Sequence, residues 1–321
     1  MEQPIRLAIS TASEPASALE GTLPTPPDVQ RGVHGWLLPS LLRTDTLMSG
    51  RWDYLAECWE RGELLDKPIP KIHFLHAPDR ASMKMLTTAL DAIPNYSHGG
   101  WAGWSGSEHF RFFLSWILHG LGHSGHMEPP TEAQGCEGAR DRLSHLFDLS
   151  LMAMNPYDYF GDLLAENLYG RRGGFFPTPH SVAELLAQMT IGVSDGDTRT
   201  LTVCDPCVGT GRLLLHASNF SLRLYGQDID PTLCLATLVN GFLYAPWLVR
   251  PLPYLDGVQY NAQHSAAISE AMVAQAPPHQ AEQLIGTEHD TDEQWRFEPV
   301  KKRRRLDPPP EDGEAKQGIL F

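Results

Sequence analysis

No stretch of this 321-residue chain strings together the apolar residues, about 18 or more, that a membrane-crossing helix needs, so none is expected. Cysteine is sparse, with five in all at scattered positions. An odd, dispersed set excludes a disulfide framework and points to a reducing cytoplasm. The first ten residues, Met1–Ser10, carry an acid and too little apolar length for a secretory leader. Positive charge is also short, with 25 Lys and Arg against 39 Asp and Glu and a net charge of −14. Phosphate contacts come from cations, so this balance excludes a broad basic face and leaves two local clusters, Arg171-Arg172 and Lys301–Arg305. DNA contact, if present, is expected through those clusters or through a partner, and no membrane partner is expected.

The ordinary content is that of a folded protein: 42% hydrophobic and 20% charged residues over a length that suggests about two domains. Residues 1–30 are rich in Ser, Thr, Pro and Glu and read as a flexible arm. Residues 31–154 read as a mainly helical domain, with apolar residues at three- and four-residue spacing over 36–42, 52–65, 80–93, 108–121 and 138–154. Asn95–Ser107 and residues 127–137 read as loops. Residues 155–290 read as an α/β domain, and 291–321 as a charged, proline-rich disordered tail.

Within that α/β segment an apolar strand pattern, Leu201–Cys204, runs into Asp205-Pro-Cys-Val-Gly-Thr-Gly211 and then into the helical run Arg212–His216. A glycine turn between strand and helix lets backbone approach a nucleoside, and the helix start offers free N–H groups. A second strand, Leu222–Tyr225, leads to Gly226-Gln-Asp228, where an acid about 20 residues after the turn suits ribose hydroxyls. Upstream stands Phe176-Pro-Thr-Pro179. Ser181–Thr190 reads as a helix with a capping box of Ser181 and Glu184, and Pro231–Tyr244 as another helix. Ala266–Ala274 reads as a further helix and Gln283–Ile285 as a short third strand. Cys204 and Cys207 sit inside the turn with no second pair, and read as packing residues rather than a zinc or redox site. His119 and His123 share a helix face near His109, His126 and Cys136. A metal site and the polar edge of an apolar helix both remain open there.

Together these motifs resemble the N6-adenine DNA methyltransferase domain of type I restriction-modification modification subunits. The likeness lies in Tyr157-Asp-Tyr-Phe-Gly-Asp162, Gly174–Pro179, the Asp205–Gly211 turn, Gly226–Asp230 and Asn240-Gly241. It covers under a third of the chain. It implies a Rossmann-like methyltransferase fold, preceded here by helices, that uses S-adenosylmethionine. The cofactor-binding residues so implied are Phe176, Thr178, Pro179, Asp205, Pro206, Gly209, Gly211 and Asp228.

That family also carries an Asn/Asp-Pro-Pro-aromatic motif after its fourth strand, and no clear counterpart stands here. Asp307–Pro310 has the wrong fourth residue, Asn155-Pro-Tyr157 lacks a proline, and Lys71–Pro78 reads as a strand without the motif. The catalytic residues therefore stay unassigned. The sheet looks incomplete, to be covered by a strand at Ile72–Leu75 or by a second chain. The last residues, Gln317-Gly-Ile-Leu-Phe321, resemble the peptide by which bacterial DNA-processing proteins bind the sliding clamp, with Gln317, Leu320 and Phe321 as contacts. Two readings stand: a DNA adenine-N6 methyltransferase, or a catalytically inactive adaptor of the same fold that meets DNA-processing partners.

Overall fold

The computed structural model describes residues 31–95, 106–167, 175–194 and 196–256, together with the backbone of 319–320. Two helices open it, α1 (Leu38–Met48) and α2 (Arg51–Arg61), followed by α3 (Arg80–Asp91) and α4 (Gly106–Gly120). The core is built on α4, where Phe110, Phe112, Phe113, Leu114, Trp116, Ile117 and Leu118 are all buried. A helix apolar on nearly every side has to be covered on every side. Phe147 meets Phe113 and Trp116 edge-on, and Trp36 meets Trp116 in the same way.

The expected helix over 138–154 is two helices, α5 (Ala139–Leu146) and α6 (Leu149–Met154). Asp148 divides them, because its carboxylate caps α6 by accepting from the Ser150 N–H at 3.0 Å. After α7 (Tyr159–Asn167) comes α8 (His180–Ala187), which ends in a wider π turn over Gln188–Gly192. The capping box at Ser181 does not form. The helix starts one residue earlier, and its N-cap is Pro179, which has no side chain able to cap.

The sheet is small and parallel. β1 (Thr202–Asp205) leads through α9 (Arg212–Ala217) to β2 (Arg223–Gly226), and all four residues of each strand pair. The long α10 (Pro231–Tyr244) is capped by Asp230, and the short α11 (Pro246–Val249) and α12 (Pro253–Asp256) follow. Helix α10 packs on α4, joining the sheet side to the helical core. The other edge of β1 carries β3 (Ile319–Leu320), also parallel, in the order β2-β1-β3.

Ile72–Leu75 is not a strand. Its side chains alternate in burial, but its backbone partners lie outside any sheet. The Ile72 N–H donates to Asn219 Oδ1 at 2.8 Å, Asn219 Nδ2 donates to the Ile72 carbonyl at 2.9 Å, and the Leu75 N–H donates to the Pro156 carbonyl at 2.9 Å. The edge it was expected to cover is met by β3 instead. Among the described residues no helix is long and apolar enough to cross a membrane. The expected arm, the helix at 266–274, the strand at 283–285, both basic clusters, Asp307–Pro310, Gln317 and Phe321 lie outside the described residues.

Candidate functional site

The C-terminal ends of β1 and β2 lie side by side and lead directly into the two acid-bearing segments. Gln227 donates its N–H to the Asp205 carbonyl at 3.0 Å, and Val208 donates to the Gln227 carbonyl at 3.0 Å. These bonds lock the glycine turn against the end of β2. Gly209 takes φ +58°, a left-handed conformation that side chains resist, and a Cβ there would come within 3.0 Å of the Phe175 ring. Gly211, at φ +89°, is the N-cap of α9.

Both candidate ligand-binding carboxylates are fixed by the turn they serve. Asp205 is buried and accepts from the Cys207 N–H at 3.0 Å. Burial raises its pKa, and the nearby Asp228 adds to that rise against the opposing Cys207 N–H. Asp228 accepts from the Gly209 N–H at 2.9 Å through one oxygen and from the Asp230 N–H at 3.0 Å through the other. An ionised carboxylate offers about four acceptor sites, so Asp228 retains capacity for a diol. Two apolar side chains stand in the open: Phe176 is 80% exposed, and Ile229, next to Asp228, is fully exposed. Thr178 contributes its carbonyl, which accepts from Arg212 at 3.0 Å; Pro179 is exposed and caps α8, and Pro206 is half-buried inside the turn.

Behind the turn lies a polar hub that sequence reading did not assign. Asp158 is fully buried and uses every acceptor it has. One carboxylate oxygen accepts from Thr210 Oγ1 at 2.6 Å and from Arg212 Nε at 2.9 Å; the other accepts from the Gly161 N–H at 3.0 Å and Asn240 Nδ2 at 2.8 Å. Asn240 Nδ2 also donates to the Thr210 carbonyl at 2.8 Å. Because both neighbours are acceptors, the orientation of that amide is fixed. Arg212 completes the hub by donating to Asp162 at 2.9 Å and to the Asp158 carbonyl at 3.1 Å. Burial works against the Arg212 charge, yet Asp158 and Asp162 outweigh it and raise its pKa. One carboxylate thus joins α7, the glycine turn, α9 and α10. Gly161 is needed for this approach, since a Cβ there would stand 2.3 Å from Asp158 Oδ2. The Tyr157–Asp162 motif signalled the importance of this segment, but the partners of Asp158 lie too far along the chain for spacing to identify.

Two histidines extend the hub. The Asp158 N–H donates to His180 Nε2 at 3.3 Å, which leaves the His180 proton on Nδ1, 3.0 Å from His216 Nε2. Burial, with Arg212 adding, pushes His180 down to about 2, and burial pushes His216 down to about 4. Both are therefore neutral at physiological pH.

The other expected sites resolve differently. Asn155 ends α6 and donates to the Leu151 carbonyl at 2.9 Å, while the Tyr157 hydroxyl bonds Asp162, so both serve local structure. His119 faces the carbonyls of His126 and Gly32, and His123 faces the His126 ring at 2.9 Å. Among the described residues no group of three or more His, Cys, Asp or Glu is arranged to hold a metal. All five cysteines are free thiols.

Residues 153–305 match the model of the N-6 DNA methylase family. The match extends over just under half of the chain and marks what this segment is similar to. The matched segment contains the hub, the Phe176–Pro179 stretch, the glycine turn and Asp228. No solved structure matches the chain.

Proposed function

We propose that the chain binds S-adenosylmethionine at the C-terminal ends of β1 and β2 and takes part in N6-adenine methylation of DNA. The observation that carries this reading is the Gly209–Asp228 contact, a glycine turn with positive φ held against a carboxylate at the end of the neighbouring strand. The donor set suits that cofactor. A buried carboxylate with a raised pKa, Asp205, gains by meeting an ammonium group, and Asp228 has acceptors for a ribose diol. Exposed Phe176 and Ile229 offer apolar surface to a purine. Pro206 and Gly211 shape the turn, and Thr178 and Pro179, linked to it by the Arg212 bond to the Thr178 carbonyl, stand beside it.

When bound, S-adenosylmethionine supplies an electrophilic methyl group. The chain's own residues bind and orient. Asp158 and Arg212 hold the turn rigid, and catalysis by such a site rests on alignment of the reacting partners. The acceptor adenine has to leave the base stack to reach any such site. With a net charge of −14, DNA contact depends on local basic segments or on a partner. Under this reading residues 155–290 form the cofactor domain, with 31–154 as its helical companion.

Calorimetric titration with S-adenosylmethionine tests the reading. Micromolar binding is expected, weakened in Asp228→Ala by about 1–3 kcal/mol through lost hydrogen bonds. Unchanged affinity in the variant would remove Asp228 from the site; no binding by the native chain would sink the cofactor reading. Nucleoside mass spectrometry of incubated DNA then reports whether N6-methyladenine forms.

A further inference from the structure

The two edges of β1 are filled unequally. On one side β2 pairs with Thr202, Val203, Cys204 and Asp205; on the other, Ile319 and Leu320 pair only with Val203 and Cys204. We propose that the outer edge of β1 is an acceptor for a short extended peptide running parallel to it, and that Ile319–Leu320 is its detachable resident. The inference rests on backbone register and does not depend on the cofactor reading.

Pairing alone holds this resident weakly. Each hydrogen bond contributes a net of about 0.5–1.5 kcal/mol, and parallel pairs are slightly weaker than antiparallel ones. Two residues make few such bonds. What favours attachment is that Ile319–Leu320 belongs to the same chain as β1, because a covalently tethered end is supplied at an effective concentration on the order of millimolar. Composition suits the role: Gly318-Ile-Leu-Phe321 is uncharged and contains β-branched Ile319, whereas the stretch before it, Lys301–Lys316, is dense in charge and proline.

Attachment and release have different consequences. Attached, Ile319–Leu320 protects a strand that ends at Asp205. Released, it leaves a row of unpaired N–H and C=O groups, a template for strand addition. The same released residues become available for capture elsewhere, so strand pairing and any other engagement of 319–320 exclude one another.

The test uses the full chain and Ile319→Pro, in which the ring removes the N–H and opposes pairing. Hydrogen exchange is followed by mass spectrometry with and without the free peptide Gln-Gly-Ile-Leu-Phe. Amides of residues 202–205 should exchange at least about tenfold faster in the variant, while those of α4 and α10 stay protected. Free peptide should restore protection in the variant and bind it about tenfold more tightly than the native chain, whose own resident competes. Equal exchange in the two chains, or equal peptide binding, overturns the proposal. If Ile319→Pro loses protection in α4 as well, a photo-crosslinking form of the peptide on the native chain decides: labelling must fall on residues 201–205, and labelling elsewhere overturns the proposal.

Discussion

Two buried arginines mark opposite ends of one short helix, α9, and they are stabilised in opposite ways. Arg212 is the first residue of α9, where the helix dipole disfavours a cation, and it is neutralised by Asp158 and Asp162 at 2.9 Å each. Arg51 reaches the other end from α2. It donates to Ser218 Oγ at 2.7 Å, to the Tyr244 carbonyl at 2.6 Å, to the Pro70 carbonyl at 2.8 Å and to Asn219, and it lies over the Trp247 ring. These acceptors are neutral, and two of them belong to the ends of α9 and α10, where helix dipoles favour a cation. Burial still lowers Arg51 to about 9, with Asp45 opposing. The end of α9 that lies away from the glycine turn holds a cation on neutral acceptors, with no ion pair to it; the end that touches the turn holds one between two carboxylates.

The sharpest way to break the comparison is Asp158→Ala. It leaves Arg212 buried with half its compensation and removes the acceptor of the Thr210 hydroxyl and one of the two acceptors of Asn240 Nδ2. Urea denaturation should record a loss of about 3–5 kcal/mol, as for other broken buried ion pairs. Arg51→Met should cost less, about 1–3 kcal/mol, because the hydrogen bonds it breaks are to neutral acceptors. If Arg51→Met proves the costlier, the contrast between charged and neutral compensation fails.

Acid should weaken the hub side through its two buried histidines. His180 and His216 have folded pKa values below the usual 6.5, so the unfolded chain binds their protons more readily. Their contribution to stability is complete above about pH 6.5 and declines as pH falls. The slope should reach about 1.4 kcal/mol per pH unit for each histidine, fading for His216 near pH 4 and continuing for His180 towards pH 2. Denaturation midpoints measured across that range check it, and His216→Phe should flatten the upper part.

The smallest expected effect runs the other way. Asp205 has a raised pKa, so its ionised form burdens the ligand-free fold at neutral pH. Asp205→Asn keeps an acceptor for the Cys207 N–H and removes the charge. It should raise stability by on the order of 1 kcal/mol while weakening cofactor binding, the exchange expected of a functional group. A variant less stable than the native chain would show that Asp205 serves structure.

The parts of this arrangement legible in the sequence are those whose causes are local. β1, the glycine turn, β2 and α10 follow one another along the chain, and each announces itself through neighbouring residues. Two errors also came from local cues. The alternation at Ile72–Leu75 is real, with Ile72 and Phe74 buried, but alternation alone does not make a strand, and here the backbone bonds an asparagine side chain and a proline carbonyl. Ser181 has the right spacing for a capping box, but α8 begins before it. The hub was illegible because Asp158 meets residues 52, 54 and 82 positions away, and nothing in their spacing predicts the meeting.

The missing side chain at Gly161 carries a consequence for descent. Within α7 a glycine costs roughly 0.5–1 kcal/mol relative to alanine, so drift alone would replace it. What opposes that replacement is the space that Asp158, Thr210 and Arg212 occupy. The five positions 158, 161, 210, 212 and 240 are therefore expected to vary together. A lineage in which Gly161 has become alanine is expected to have changed the other four as well, and so to have surrendered the rigid turn that they hold.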